Sequence, residues 1–299
     1  MSIPLEIHAE VSAALQARGP VVALESSLIT HGLPFPINLE TAMQAEAAVR
    51  GEGGVPATIA VLEGRLKIGL SQSELAMLAE HPAPLKASRR DLAAAIAQRH
   101  TAGTTVAASI FLAHRAGIRV FATGGIGGVH RDVAESLDIS ADLTEVARTP
   151  VCVVCSGAKS VLDIAKTLEM LETLGVPVIG YGVEEFPAFY VRSSGQRIDT
   201  QVTTPADAAR LALAHWELGG GGVVLAQPPP AELAFTGTEF QELLAHAQRR
   251  AAERSIHGKQ LTPFLLQTIA EQSQGQSLEL NQALVVANAR LAASVARLL

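Results

Sequence analysis

Short apolar runs alternate along this chain with longer stretches in which hydrophobic residues recur every three or four positions. The short runs, rich in β-branched residues, predict strands over residues 21–24, 58–62, 65–68, 119–122, 151–155, 178–181 and 222–226. The longer amphipathic or Ala-rich stretches predict helices over 38–52, 71–80, 89–97, 104–116, 141–147, 160–174, 205–218, 238–252, 262–268 and 276–299. Two starts are well marked. Ser71-Gln-Ser-Glu74 reads as a capping box, and Thr204-Pro-Ala-Asp207 places proline just inside a helix. Alternation of the two periods is the pattern of a layered α/β fold, read here as three αβα layers around a central sheet. Glu63-Gly64 between two predicted strands implies a hairpin, so the sheet is expected to be mixed rather than wholly parallel. No tandem repeat and no long low-complexity linker divides the chain. A strand follows Gly219–Gly222 at once, and Pro228–Pro230 ends that strand. The reading is one large domain over residues 1–299 with a C-terminal helical extension.

Composition narrows the class. With 299 residues, 48% of them hydrophobic, the chain can bury a large core. Aromatics are only 4% while Ala and Gly are abundant, which suits helices packed closely on a sheet and a surface that continues into subunit contacts. The net charge is −6, with no basic block to neutralise a phosphate backbone, which argues against nucleic-acid polymers as partners. No apolar run reaches the ~18 residues of a membrane span. The start, Met-Ser-Ile-Pro-Leu-Glu, lacks the basic and apolar regions of a signal peptide, so a cytoplasmic location is expected. The only cysteines, Cys152 and Cys155, have the Cys-x-x-Cys spacing of metal and redox sites. They lie inside an apolar strand, where residues three apart point to opposite faces, and this predicts a buried structural role.

Candidate chemistry collects after the strands. Lys159 ends Val151-Cys-Val-Val-Cys-Ser-Gly-Ala-Lys-Ser160, where a strand runs into a small-residue turn. A desolvated lysine amine loses its proton and attacks an aldehyde carbon to form a Schiff base; the alternative is a surface lysine at a helix start. Glu25, at the end of the first long strand, is either a general acid or base or a solvated loop carboxylate. Ser26, Ser27, Thr30 and His31 follow it, with His31 read as bracing the loop. Lys86-Ala-Ser-Arg-Arg-Asp91 offers three cations to a phosphate or forms an ordinary charged helix entrance. Thr101-Ala-Gly-Thr-Thr-Val106 opens an Ala-rich helix whose N-terminus suits an anion. Thr123-Gly-Gly-Ile-Gly-Gly-Val-His-Arg131 partly matches a dinucleotide fingerprint, but His130 stands where the third glycine belongs. A turn wrapping one phosphate with backbone N–H groups fits that loop better. Asp138 and Asp142 suit either a Mg²⁺ or Mn²⁺ ion or helix capping.

As a set, Ala23-Leu-Glu-Ser-Ser27, Thr30-His-Gly-Leu-Pro-Phe-Pro36, Val55-Pro-Ala-Thr-Ile-Ala60, Ser88-Arg-Arg-Asp-Leu92, the stretch from Val120 to Arg131, Asp138-Ile-Ser-Ala-Asp-Leu143, Cys155-Ser-Gly-Ala-Lys-Ser160 and Thr262-Pro-Phe-Leu-Leu266 resemble the pseudouridine-5′-phosphate glycosidase family, which includes indigoidine synthase A-like proteins. The resemblance implies cleavage of the C–C glycosidic bond of pseudouridine 5′-phosphate to uracil and ribose 5-phosphate, a divalent metal such as Mn²⁺, and a homotrimer. It implies Lys159 as nucleophile, Glu25 as proton donor and Asp138 as metal ligand. Lys86, Val106, Ser140, Ala141 and Asp142 match its substrate-binding positions, and His130 and Asn281 match residues lining the same site. A second cation at Lys86 is expected to discourage protonation of Lys159. The chain departs from the family's pattern at Gln227-Pro228, where Asn-Pro is frequent, and in a shorter loop from Arg192 to Asp199; both are expected to affect the rim of the site and not the reaction. Two other readings compete. An NAD-dependent oxidoreductase would use the glycine-rich turn, and a sugar-phosphate-binding module would bind without forming a lysine adduct.

Overall fold

The computed structural model describes residues 3–256, 258 and 261–299. Among them are the strands β1 (Leu5–Ile7), β2 (Val21–Leu24), β3 (Val55–Leu62), β4 (Arg65–Ile68), β5 (Leu85–Ala87), β6 (Ala102–Thr104), β7 (Val120–Ala122), β8 (Cys152–Cys155), β9 (Val178–Tyr181), β10 (Thr200–Val202) and β11 (Val223–Ala226). They join in one sheet, in the order β1-β4-β3-β2-β7-β8-β11-β9-β10, with β6 also on β3 and β5 on β6. From the first half of β3 to β10 every pairing is parallel. These strands read as unbroken apolar runs because helices cover both faces: all four residues of β2, β8 and β11 are buried.

The sheet is mixed, as the hairpin predicted. The first four residues of β3 pair with β2 and its last four with β4, antiparallel, so one strand bridges the parallel sheet and a smaller annex. Both turn residues have positive φ, 49° at Glu63 and 78° at Gly64, as a two-residue hairpin matching strand twist requires. A Cβ at Gly64 would lie 2.8 Å from the Ile96 carbonyl, so glycine also lets the turn dock on the helix Leu92–Ala97.

Helices Val106–Arg115 and Ala141–Arg148 pack together on one face of the sheet. The other face is covered by Ile37–Gly51 and by Gln276–Ala296, which lies across β2, β7 and β8. The C-terminal helix is therefore no appendage: twelve of its residues are buried, and its small apolar side chains let it settle close to the strands. Other departures from expectation are small. Strands β1, β5, β6 and β10 are three residues each, too short for a periodic signal. The helix expected from 104 starts at Val106, because residues 102–104 form β6. The one expected from 160 starts at Ile164 after an Asp163 cap, which leaves Lys159 in a turn. Cys152 and Cys155 are free thiols, wholly buried, and burial pushes both up to about 12, in keeping with the structural role. No helix among the described residues is long and apolar enough to cross a membrane.

Candidate active site

Register places the chemistry. Leu24, Ala122, Val154 and Leu225 lie level across β2, β7, β8 and β11. Because these strands are parallel, their carboxyl ends deliver Glu25, the glycine loop from Thr123, the turn to Lys159 and Gln227 to one edge of the sheet, where ligands bind in such folds. A basin of about 890 Å³ opens there, with an inner pocket of about 40 Å³. Glu25, Ser27, Lys86, Lys159 and Thr262 line both. Val106, His130, Asp138, Ser140, Ala141 and Asp142 line the basin, and Asn281 lines the inner pocket. The fold thus gathers all ten candidate residues.

Lys159 stands on a braced backbone. Ile126 N–H donates to the Gly157 carbonyl at 3.0 Å, and Lys159 N–H donates to the Ile126 carbonyl at 3.1 Å. Gly157 has φ +76°, and a Cβ there would fall 1.8 Å from the Pro187 carbonyl oxygen, so only glycine fits. Beyond the lysine, Ser160 Oγ donates to the Ala188 carbonyl and accepts from Tyr190 N–H at 3.0 Å. The segment around Phe189, which walls the inner pocket, is thereby tied to the lysine's own turn.

Glu25 is held by two hydroxyls. Ser27 Oγ donates to Glu25 Oε2, and Thr123 Oγ1 donates to Oε1. Beneath Thr123 sits Asn288, fully buried on the C-terminal helix. Its amide nitrogen donates to the Thr123 carbonyl at 2.8 Å and to Ser156 Oγ at 3.1 Å, and its oxygen accepts from Gln227 Nε2 at 2.9 Å. Asn288 so joins the ends of β7, β8 and β11. Gln227, partly buried, thus joins the support beneath Thr123. Asn288→Ala would strand these groups and open a void. The expected cost is roughly 2–4 kcal/mol, read as a lower urea midpoint.

Four amides of the glycine loop are already engaged. Ile126, Gly127, Val129 and His130 all donate their amides inside the protein, to the Gly157 carbonyl, Asp142 Oδ2, Thr167 Oγ1 and the Asp138 carbonyl. Those amides are not free to wrap a phosphate. Glycine is needed for packing instead: a Cβ at Gly127 would lie 2.2 Å from Ser140 Oγ, and one at Gly128 would lie 2.4 Å from Thr167 Oγ1. The helix after the loop, Val133–Ser136, has only four residues, so the dinucleotide reading lacks its long helix as well as its third glycine.

The two aspartates separate in role. Asp142 is buried and accepts from Gly127 N–H and Ala107 N–H, each at 2.9 Å, clamping the loop to the start of Val106–Arg115. Ser140, not Asp142, caps the helix Ala141–Arg148. Asp138 is more open and faces His130 across 3.9 Å. Among the described residues no three His, Cys, Asp or Glu side chains converge as a ligand set. The donors present therefore suit only an ion that keeps most of its shell as water or substrate oxygen, as Mg²⁺ and Mn²⁺ do beside one carboxylate.

The cation cluster is partly committed. Arg89 pairs with the buried Glu145 at 2.6 Å and lies over the Phe111 ring at 4.2 Å. Arg89 also lines the basin, with Ser88 and Val106. His31, bonded to Thr30 Oγ1 at 2.7 Å, is depressed in pKa by burial and then by the Lys86 charge, and so presents a neutral ring to the inner pocket. Sequence reasoning passed over Asn288, Glu145, Phe189 and the pairing of Ser27 and Thr123 with Glu25. Asn288 alone had a legible signal: it lies two turns from Asn281 in an otherwise Ala-, Leu- and Val-rich helix.

Residues 10–298 match the model of the indigoidine synthase A like protein family. A protein of Caldanaerobacter subterraneus named pseudouridine-5′-phosphate glycosidase is 50% identical over 98% of this chain and 95% of its own length. One of Rhizobium johnstonii, named pseudouridine-5′-phosphate glycosidase 2, is 52% identical over 96% and 93%. Among solved structures, prealnumycin C-glycosynthase AlnA in complex with ribulose 5-phosphate superposes with a TM-score of 0.91 at 40% identity, covering 100% of this chain and 97% of that one. An indigoidine synthase A-like protein of Thermotoga maritima gives 0.89 at 34% identity, over 99% and 96%.

Proposed function

The chain belongs to the indigoidine synthase A-like family, and on that premise we propose that it is an enzyme cleaving the carbon–carbon glycosidic bond of pseudouridine 5′-phosphate. The observation that carries the reading is one amine and one hydroxyl-held carboxylate, Lys159 and Glu25, delivered from the ends of β8 and β2, on either side of β7, to the same basin and pocket. Such a bond needs an electron sink, because its leaving atom is carbon and has no lone pair to protonate.

In the proposed reaction Lys159 Nζ bonds to C1′ as the C1′–O4′ bond breaks, and the ring oxygen takes the proton that the amine gives up. The C1′–C5 bond then breaks. Its electron pair stays on the uracil carbon, which takes a proton from Glu25, while the nitrogen lone pair forms C=N at C1′. Water adds to this Schiff base, restoring the amine and releasing ribose 5-phosphate, so one water is consumed overall. Arg89 and Lys86 bring positive charge to the basin for the phosphate. A divalent ion, Mn²⁺ or a relative, would be held by Asp138 with water and supply positive charge to substrate oxygens. The likeness to a C-glycosynthase supports the same residues running the reaction in reverse. A homotrimer in the cytoplasm completes the proposal, its assembly to be measured by sedimentation.

The test is chromatographic detection of uracil released from pseudouridine 5′-phosphate with Mn²⁺ and with chelator. Metal-dependent release is expected; no release from folded protein overturns the reading. Asp138→Ala should lose most of the stimulation by added Mn²⁺, measured as the ratio of rates with metal and with chelator.

A further inference from the structure

We propose that Thr123 is a positioning residue for the reaction: its hydroxyl, with that of Ser27, sets the direction from which Glu25 delivers its proton. The inference rests on the function proposed above and adds residues to which that reading assigns no role.

The register makes the arrangement obligatory. Leu24 of β2 pairs with Ala122 of β7, so the next residues, Glu25 and Thr123, come out side by side at the strand ends. Thr123 Oγ1 donates to one carboxyl oxygen of Glu25 and Ser27 Oγ to the other. A carboxyl group gripped at one oxygen still swings about its last bond; gripped at both, it keeps one plane. The grip is only as firm as the backbone that carries it, and that of Thr123 is fixed on both sides. Its N–H donates to the Val154 carbonyl at 3.0 Å, and its carbonyl accepts from Asn288 at 2.8 Å. Thr123 is itself buried, whereas Glu25 is only half so and lines the basin, the inner pocket and a smaller void beneath.

Proton transfer to carbon is demanding in angle, and a displacement of about 1 Å can cost on the order of 100-fold. Thr123→Val keeps the β-branch and the packing while deleting the hydroxyl. It should lower kcat for uracil release roughly 10- to 100-fold with KM within about 2-fold. Thr123→Ser, which restores the hydroxyl, should recover most of the rate. A second readout separates positioning from general damage. Ribose 5-phosphate presents its own aldehyde to Lys159, so borohydride trapping of that adduct needs no proton delivered to uracil. Trapping in Thr123→Val should match the wild type. Equal kcat in Thr123→Val and wild type, failure of serine to rescue, or parallel loss of trapping and turnover would each overturn the proposal. Absence of uracil release by the wild-type protein itself would instead overturn the underlying function.

Discussion

Lys159→Ala is expected to lose uracil release by roughly 10⁴-fold or more while remaining folded. The magnitude follows from the chemistry rather than from any one contact. Without the amine no nitrogen lone pair is available to C1′, and the bond to carbon has no alternative way to break at neutral pH. The backbone contacts of this turn are made by main-chain atoms of residues 126 and 157–159, with side-chain help from Ser160, so truncating the lysine removes none of them. The measurement is single-turnover uracil release beside a urea unfolding curve. A second check is mass spectrometry after borohydride reduction with ribose 5-phosphate. The wild type should gain one sugar-phosphate adduct on the peptide containing Lys159, and the variant none. Full activity in the variant would remove the covalent step from the mechanism.

Glu25→Gln should cost roughly 10²- to 10⁴-fold in kcat, the usual weight of a positioned acid or base. Glutamine keeps the shape and one oxygen, so the Ser27 or Thr123 hydroxyl still finds an acceptor and the fold should hold. What it cannot do is exchange a proton. The two variants should therefore differ in character: Glu25→Gln retains the trapped lysine adduct with ribose 5-phosphate, whereas Lys159→Ala abolishes it. If Glu25→Gln lost the adduct as fully as Lys159→Ala, the carboxyl would be acting on the lysine and not on the uracil carbon.

Much of this was legible before the structure, and the reason differs from part to part. Strands β2, β4 and β9 match their predicted bounds to the residue: β2 is a buried apolar run, β4 alternates polar and apolar residues, and turn residues bound them. The layer pattern and the mixed sheet came from the same alternation and from one hairpin signal. The ten candidate residues converge because the register levels the strand ends, yet no local pattern states that register. Three-residue strands such as β5 and β6 are made by their partners and carry no period of their own. The packing role of Gly127 and Gly128 is hidden in the sequence for a related reason. A glycine that makes room for Ser140 or Thr167 reads like a glycine that makes room for phosphate, since the neighbour across the gap is far along the chain. Asn288 is the extreme case, with partners 132 and 165 residues away.

That separation also bears on how the protein comes together in time. Contacts between distant segments require closing long loops before they return any energy, so they form late. Each strand pairing from β2 to β11 joins segments closer along the chain than Asn288 is to Ser156 or Thr123. The side-chain amide that holds the catalytic strand ends level comes from the last helix of the chain. Catalysis is therefore expected to return after most of the secondary structure on refolding, because turnover depends on an alignment that the strands do not supply alone.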